Sequence, residues 1–234
     1  MGQAIFVTGT DTGVGKTFFT CGLARWLKSY GYNVGAMKPA ETGCELRDGL
    51  LYPEDGWRLK EATGCEEPIE RVCPYRLPEP LAPSIAAERA GLKIDIDHLL
   101  AVFAEIKRSH DITLVEGAGG LMVPLVPSYT FADFARVAKL PTIVVAANKL
   151  GVINHLLLSL EHASCMGLTV LGYVLNRSIN EQSVAAETNR EVLLGLTGVP
   201  CLGELPFHQP GSDPANLFET ELDLTTIHLF LEKL

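Results

Sequence analysis

Residue types that bind phosphate are concentrated near the start of the chain, in the segment FVTGTDTGVGKTFFTCGLARWL from Phe6 to Leu27. Its glycines allow backbone angles at which successive N–H groups converge on phosphate oxygens. Lys16 can reach the outer phosphates of a nucleoside triphosphate, and the Thr17 hydroxyl can bind Mg²⁺. A helix that begins near Thr17 adds the positive end of its dipole. The segment therefore predicts a triphosphate site, although five residues separate Gly9 from Gly15 where the common P-loop has four.

A second lysine and two carboxylates extend this chemistry. Lys38 follows an apolar run in GAMKPAETGC, and two ammonium groups over one γ-phosphate suit a transfer in which charge builds on phosphoryl oxygens. Glu116 ends the apolar run DITLVE, where P-loop enzymes place a further magnesium ligand, although a solvated strand-end carboxylate is the alternative. Asp55 lies at an apparent helix start, where a carboxylate also favours the helix dipole. Thr42 by itself is more typical of a turn.

Short apolar runs separated by helical patterns predict the elements that position these groups. The predicted strands are Ala4–Val7, Val34–Met37, Ile112–Val115, Ile143–Ala147, Val170–Leu175 and, as a sixth, Cys201–Leu205. Near-continuous apolar strands alternating with amphipathic helices predict an α/β fold with a doubly wound, mostly parallel sheet flanked by helices, of the P-loop NTPase type. Ligands of such sheets lie beyond the carboxyl ends of the strands.

Two segments are predicted as loops: Cys65–Pro83, which is proline-rich and expected to be a long surface excursion, and Gly119–Thr130. We find no repeat and no boundary in the pattern, so residues 1–234 are expected to form one domain.

Composition narrows the classes of function. The 234 residues carry a net charge of −9 without a basic cluster, which argues against nucleic acid as a partner. No apolar run approaches the ~20 residues of a membrane helix, and the N-terminus does not resemble a signal peptide. The six cysteines form no CxxC pair, so we expect reduced thiols and a cytoplasmic location.

Four motifs together resemble the dethiobiotin synthetase family: VTGTDTGVGKT at Val7–Thr17, KPAETG at Lys38–Gly43, VEGAGG at Val115–Gly120 and NKLGVINH at Asn148–His155. GELP at Gly203–Pro206 fits as well. The longer spacer of the P-loop is normal in that family. Thr42 stands where the family usually has Ser, which keeps a hydroxyl. Gly13 stands where some members have Glu, so no role of that carboxylate is transferred.

The resemblance implies an ATP- and Mg²⁺-dependent cyclo-ligase that closes the ureido ring of dethiobiotin on 7,8-diaminononanoate. One amine captures CO2 as a carbamate, the carbamate attacks the γ-phosphate to give a carbamic–phosphoric anhydride, and the second amine expels phosphate. It also implies a homodimer, in which a helix of the partner subunit receives the substrate carboxylate. No nucleic acid or membrane partner is implied.

The same resemblance assigns the site residues. Lys38, Lys16 and Thr12 would be catalytic, and Thr17, Asp55 and Glu116 would hold Mg²⁺. The diamine would contact Thr42, and its carboxylate tail would lie at Gly151, Val152, Ile153 and Asn154. The nucleotide would be bound by Lys16, Thr17, Asp55 and Glu116 together with Gly13, Val14, Gly15, Phe18, Gly117, Ala118, Gly119, Asn176, Arg177, Leu205, Pro206 and Phe207. Asn176 would read the adenine, because its amide both donates and accepts hydrogen bonds.

The main alternative is a P-loop ATPase switch of the partitioning or septum-placement type. Proteins of that type carry a signature lysine early in the P-loop, and the corresponding position here is Asp11. The ligase domain of a cobyrinate amidating enzyme would need a glutaminase domain for which the chain lacks the length. An ATP-independent interaction module would leave Lys16, Lys38 and the EGAGG segment unexplained.

Overall fold

A computed structural model describes residues 2–177, 183–207 and 215–232 of the chain. Its strands, in chain order, are β1 (Gln3–Gly9), β2 (Val34–Met37), β3 (Ala40–Thr42), β4 (Glu45–Arg47), β5 (Leu50–Tyr52), β6 (Tyr75–Leu77), β7 (Ile112–Gly120), β8 (Pro124–Val126), β9 (Tyr129–Thr130), β10 (Thr142–Ala147), β11 (Val170–Asn176) and β12 (Cys201–Leu205). Its helices are α1 (Lys16–Ser29), α2 (Glu54–Thr63), α3 (Ile69–Val72), α4 (Pro83–Arg89), α5 (Ile96–Ser109), α6 (Phe131–Val137), α7 (Val152–Cys165), α8 (Val184–Leu196), α9 (Ala215–Glu221) and α10 (Thr225–Leu231).

The central sheet has six strands in the order β12-β11-β10-β1-β7-β2. All of its strand pairs are parallel, which confirms the predicted fold class and each of the predicted strands. Because parallel strands end at the same edge, the P-loop after β1, Lys38 after β2 and Glu116 in β7 come together there. In the register of β1 and β7, Val7 lies opposite Glu116.

Both faces of the sheet are covered, as the near-continuous apolar strands predict. Within β1, Ile5 and Val7 belong to one hydrophobic core, which includes Phe19 of α1. Phe6 of the same strand points to the opposite face and joins a second core, which includes Phe103 of α5. This alternation follows from the period of 2 in side-chain direction along a strand.

Helix α9, the last but one in the described part of the chain, packs directly on the helix that follows the P-loop. The fully buried ring of Phe218 lies 5.2 Å, centroid to centroid, from the ring of Phe19 in α1. A Cβ atom at Gly22 would approach the Phe218 ring to 2.0 Å, so the absence of a side chain at Gly22 lets the two helices meet.

The prediction that Cys65–Pro83 is a surface excursion is wrong. The segment contains α3 and β6, and β6 pairs in parallel with β3. Its apolar side chains explain the difference, because Val72, Cys73 and Leu77 are fully buried. The predicted loop Gly119–Thr130 likewise contains the antiparallel pair β8 and β9.

None of the helices in the described part of the chain is long and apolar enough to cross a lipid bilayer. None of the six cysteines, all of which lie within the described ranges, forms a disulfide.

Candidate active site

A cavity of about 530 Å³ opens at the carboxyl edge of the sheet, where the predicted strand-end residues meet. Its walls come from the P-loop, the segment after β2, the start of α2, the end of β7 and the ends of β11 and β12. The lining residues are Thr12, Gly13, Gly15, Lys16, Thr17, Phe18, Lys38, Glu41, Thr42, Asp55, Arg58, Ala118, Gly119, Asn176 and Phe207.

The P-loop has the backbone that a phosphate cradle requires. Gly13 and Gly15 have backbone φ angles of 73° and 95°, which residues other than glycine rarely adopt. Gly15 is also the N-cap of α1, so the first amides of that helix face the cavity without partners inside the helix. Val14 is buried, and its carbonyl accepts a hydrogen bond of 2.8 Å from Asn176 Nδ2, which ties the loop to β11.

Lys16 extends its ammonium group over the loop and donates to the Asp11 carbonyl at 3.0 Å. Burial, and then the positive charge of Lys38, lower the pKa of Lys16 to about 8. An anion in the cavity would oppose both effects, since it would favour the charged ammonium. The lysine is therefore placed to stabilise the outer phosphates of a nucleotide.

Lys38 is buried between two carboxylates. Its Nζ lies 2.5 Å from Glu116 Oε1 and 2.9 Å from Asp55 Oδ2, with the Gly117 carbonyl at 3.4 Å. Burial alone would lower the pKa of Lys38, but the charges of Glu116 and Asp55 outweigh it and raise that pKa above its usual value. Burial opposes ionisation of Asp55 as well, yet the Lys38 ammonium lowers the pKa of that carboxyl. The two carboxylates therefore favour the charged ammonium form of Lys38.

The oxygen atoms beside Lys38 suit a magnesium ion. Thr17 Oγ1 donates to Glu116 Oε1 at 2.9 Å, and Asp55 lies on the other side of Lys38. Glu116 Oε2 is buried and has no hydrogen-bond partner within the described ranges, which is costly unless a cation or donor joins it. No group of three His, Cys, Asp or Glu side chains with metal-binding geometry occurs in the described residues. A magnesium site here therefore needs the Thr17 hydroxyl together with the two carboxylates, and these oxygens are the donors that Mg²⁺ prefers.

Two residues that sequence reasoning did not assign also line the cavity, Glu41 and Arg58. The Glu41 carboxylate accepts from the backbone N–H groups of Asp55 and Gly56, each at 2.9 Å. Burial and the nearby charge of Asp55 raise the pKa of Glu41 to about 7, against the opposing effects of Lys38 and the two N–H groups. Arg58 lies one helical turn after Asp55, and this spacing was the available signal.

Of the residues predicted to bind the base, only some line the cavity. Asn176 and Phe207 line the cavity, and Asn176 Oδ1 is buried without a hydrogen-bond partner among the described residues. The guanidinium of Arg177 instead pairs with Glu204. The backbone N–H of Arg177 donates to the Leu205 carbonyl at 2.9 Å. Among the described residues that form the wall, Arg177, Leu205 and Pro206 do not appear.

Several other assigned residues lie outside that wall. Val14 and Gly117 are behind it, where their carbonyls accept from Asn176 and Lys38. The four residues Gly151–Asn154 form the N-cap and first turn of α7, which follows β10. They do not line the described cavity of their own chain. Gly151 is the N-cap of α7, with φ of 96°, so the first amides of this helix also lack partners within it.

Comparisons with known proteins give consistent results. A family model described as an AAA domain matches residues 3–215. The chain is 40% identical over 215 residues to the ATP-dependent dethiobiotin synthetase BioD of Thermodesulfovibrio yellowstonii, covering 88% of this chain and 90% of that protein. It is 39% identical over 215 residues to the protein of the same name from Aromatoleum aromaticum, covering 92% of this chain and 95% of the other.

Solved structures that resemble the chain are more distant in sequence. The septum site-determining protein MinD of Pyrococcus horikoshii, in complex with Mg-ADP, superimposes with a TM-score of 0.58 at 18% identity over 93% of each chain. The cell division ATPase MinD of Pyrococcus furiosus gives a TM-score of 0.58 at 20% identity over 100% of this chain and 99% of its own. At these identities the likeness concerns the fold alone.

Proposed function

The chain belongs to the ATP-dependent dethiobiotin synthetase family, and from this we propose that it joins 7,8-diaminononanoate, CO2 and ATP to give dethiobiotin, ADP and phosphate. The observation that carries the proposal is the convergence of Lys16 and Lys38 on one cavity beside the Thr17, Asp55 and Glu116 oxygens. A carbamate and a triphosphate are both anions, so bringing them together requires concentrated positive charge.

The P-loop amides and Lys16 bind the phosphates of ATP in this proposal. Thr17, Asp55 and Glu116 would hold Mg²⁺, which when bound neutralises charge on the phosphate oxygens. Asn176 would contact the adenine, with Phe207 beside the base, while the Glu204 carboxylate keeps the Arg177 side chain away from it. Arg177, Leu205 and Pro206 would then bind the nucleotide through their backbone groups.

The reaction would proceed by three bond-forming steps. One amine of the substrate attacks CO2 and loses a proton to solvent, which gives a carbamate. A carbamate oxygen attacks the γ-phosphorus and ADP leaves. The second amine attacks the carbonyl carbon, loses a proton and expels phosphate, which closes the ring. Lys38 stabilises the carbamate and the transferring phosphoryl group by its charge, since its carboxylate neighbours raise its pKa and favour the ammonium form.

Thr42 would contact the diamine, the Gly117–Gly119 segment would lie along both the phosphate and the diamine, and Thr12 would assist the phosphoryl transfer. The carboxylate at the far end of the substrate would bind the first amides of α7, Gly151–Asn154. Since these residues do not line the cavity of their own chain, we place them at the cavity of a partner subunit in a homodimer. The exposed side chains of Leu150 and Leu158 on the α7 side support such an interface.

The test is phosphate release measured with and without 7,8-diaminononanoate. The proposal predicts release that depends on the diamine and matches dethiobiotin formation mole for mole. An ATPase switch, the alternative function, would release phosphate equally well without the diamine. Repeating the assay with GTP and CTP determines which base the Asn176 region selects.

A further inference from the structure

We propose that Glu41 is a positioning residue, whose carboxylate caps the N-terminus of α2 and thereby holds Asp55 at Lys38 and at the magnesium oxygens. The inference deepens the proposed function, since it concerns how that site is assembled. Glu41 comes from β3, 14 residues before Asp55 in the chain, so the cap is a tertiary contact and not a local motif.

The first turn of α2 lacks a cap from its own sequence. Its N-cap residue is Pro53, which makes no side-chain hydrogen bond, because proline has no side-chain acceptor. An N-cap side chain ordinarily accepts from the second or third amide of the helix. In α2 those amides belong to Asp55 and Gly56, and they donate instead to Glu41 Oε1 and Oε2, each at 2.9 Å.

The burial of Glu41 indicates that this contact is an essential part of the local structure. The residue is 7% exposed, and a buried carboxylate is unfavourable unless its oxygens are hydrogen-bonded. Hydrogen bonds from two backbone amides and the positive end of the helix dipole supply that compensation. Each carboxylate oxygen thus accepts one hydrogen bond from the helix.

The capping contact fixes the geometry of the reacting groups. Asp55 donates its N–H to Glu41 while its Oδ2 lies 2.9 Å from Lys38 Nζ. Glu41 also stands three residues after Lys38 and directly before Thr42. One short segment therefore carries the proposed catalytic lysine, the proposed substrate contact and the cap of the opposing helix. A shift of α2 by ~1 Å would change how Asp55 is placed relative to all three groups.

Because Glu41 also lines the cavity, direct contact with a substrate ammonium group is the competing role. The hydrogen bonds that both carboxylate oxygens accept from the first turn of α2 favour the positioning role. The two roles differ in what they change: positioning acts on turnover and on magnesium affinity, whereas direct contact acts on the KM for the diamine.

The test variant is Glu41→Gln, which keeps the size of the side chain but replaces one acceptor with an NH2 group that opposes an amide N–H. We expect kcat to fall by about 10-fold or more and magnesium affinity to weaken by about 10- to 100-fold, the range seen for groups that orient metal ligands. The KM for the diamine should change by less than about threefold if ground-state binding is intact. The matched control is Glu45→Gln, which alters an exposed carboxylate four residues later and should leave all three values unchanged.

Two measurements are independent of turnover. Calorimetric titration of Mg²⁺ into the enzyme with a non-hydrolysable ATP analogue reports the metal affinity directly. Amide hydrogen exchange should show faster exchange at Asp55 and Gly56 in Glu41→Gln, while the amides of α5 keep their protection. If Glu41→Gln does not fold, Glu41→Asp provides the same comparisons with a retained charge and a shorter reach.

Unchanged kcat with a raised KM for the diamine would overturn the proposal in favour of direct substrate contact. If the amides of α2 and α5 lose protection from hydrogen exchange equally, Glu41 contributes only to the overall stability of the fold, and the proposal is overturned. If the wild-type enzyme makes no dethiobiotin, the proposed function fails, but the exchange at Asp55 and Gly56 still decides whether Glu41 is the cap.

Discussion

Lys38 is the buried lysine whose positive charge the proposed reaction depends on most directly. Replacement by alanine removes the ammonium group that Glu116 and Asp55 surround. We expect Lys38→Ala to lower kcat by about 10²-fold or more, the scale of losing one preorganised charge donor. ATP should still bind, because Lys16 and the P-loop amides remain. Steady-state kinetics measure the loss of turnover, and calorimetric titration measures ATP binding. Lys93 is exposed, and Lys93→Ala is the control. Near-normal turnover in Lys38→Ala would remove Lys38 from the mechanism.

Two glycines of the P-loop provide a matched pair of substitutions. Both have positive φ, but a Cβ at Gly13 would meet nothing within 4 Å, whereas one at Gly15 would lie 2.0 Å from Asn176 Nδ2. Gly13→Ala should cost only backbone strain, about 1–2 kcal/mol. Gly15→Ala should cost more and weaken nucleotide binding, since it displaces the Asn176 amide from Val14. Urea unfolding and ATP titration measure the difference, and equal effects of the two variants would contradict the described loop geometry.

Strand-end residues were predictable from the sequence because a parallel sheet brings them to one edge. Lys16, Lys38 and Glu116 each follow or end an apolar run; both lysines line the cavity, and Glu116 pairs with Lys38. The role of Glu41 was not predictable, because its partners are backbone amides of a helix that only the tertiary fold brings to it. The family resemblance assigns Arg177 to the nucleotide, and the pairing of its guanidinium with Glu204 on the neighbouring strand likewise depends on how the sheet is assembled.

At the scale of elements, the contact of α9 with α1 connects the C-terminal part of the chain to the P-loop helix. Phe218→Ala should cost about 3–5 kcal/mol of unfolding free energy because it empties a buried aromatic site. Gly22→Ala should cost about 1–3 kcal/mol because the new methyl group overlaps the Phe218 ring. In the Phe218→Ala background, Gly22→Ala should instead be neutral or stabilising by up to ~1 kcal/mol, since alanine favours the helix.

A double-mutant cycle by urea unfolding measures this coupling. Simple additivity of Gly22→Ala and Phe218→Ala would mean that α9 does not occupy the described position on α1.

The long strands and helices could be predicted because each is a sustained apolar pattern. The strands β3, β4, β5 and β6 have three residues each, too few for alternation to distinguish them from a loop. The prolines within Cys65–Pro83 favour an exposed segment, but the buried side chains of Val72, Cys73 and Leu77 decide how that segment packs. Composition alone did not reveal this packing.

At the scale of the whole molecule, the proposed homodimer makes one active site depend on two chains. Asn154→Asp adds a negative charge at the start of α7, which suits the helix dipole but repels the substrate carboxylate. We expect the variant to remain folded and to raise the KM for the diamine by about 10-fold or more, the scale of losing a charged contact.

Subunit exchange between Asn154→Asp and Lys38→Ala distinguishes a shared site from a site within one chain. If each site uses Lys38 from one chain and α7 from its partner, half of the sites in a mixed dimer carry neither change. Mixing should then restore about a quarter of wild-type activity at low diamine, assuming random exchange. Mixing Lys38→Ala with Thr17→Ala, which alters the same half of the site, is the control and should restore less, if anything. Absence of restoration in both mixtures, with exchange verified, would contradict the shared site.

The most direct test of the account follows oxygen from CO2 to phosphate in a single turnover with ¹⁸O-labelled bicarbonate in unlabelled water. If the charge of Lys16 and Lys38 brings a carbamate against the γ-phosphate, a carbamate oxygen becomes the bridge to phosphorus and leaves with it when the ring closes. Mass spectrometry should therefore find one oxygen from CO2 in the phosphate that accompanies each dethiobiotin. Phosphate that carries only oxygen from ATP and water would contradict the account.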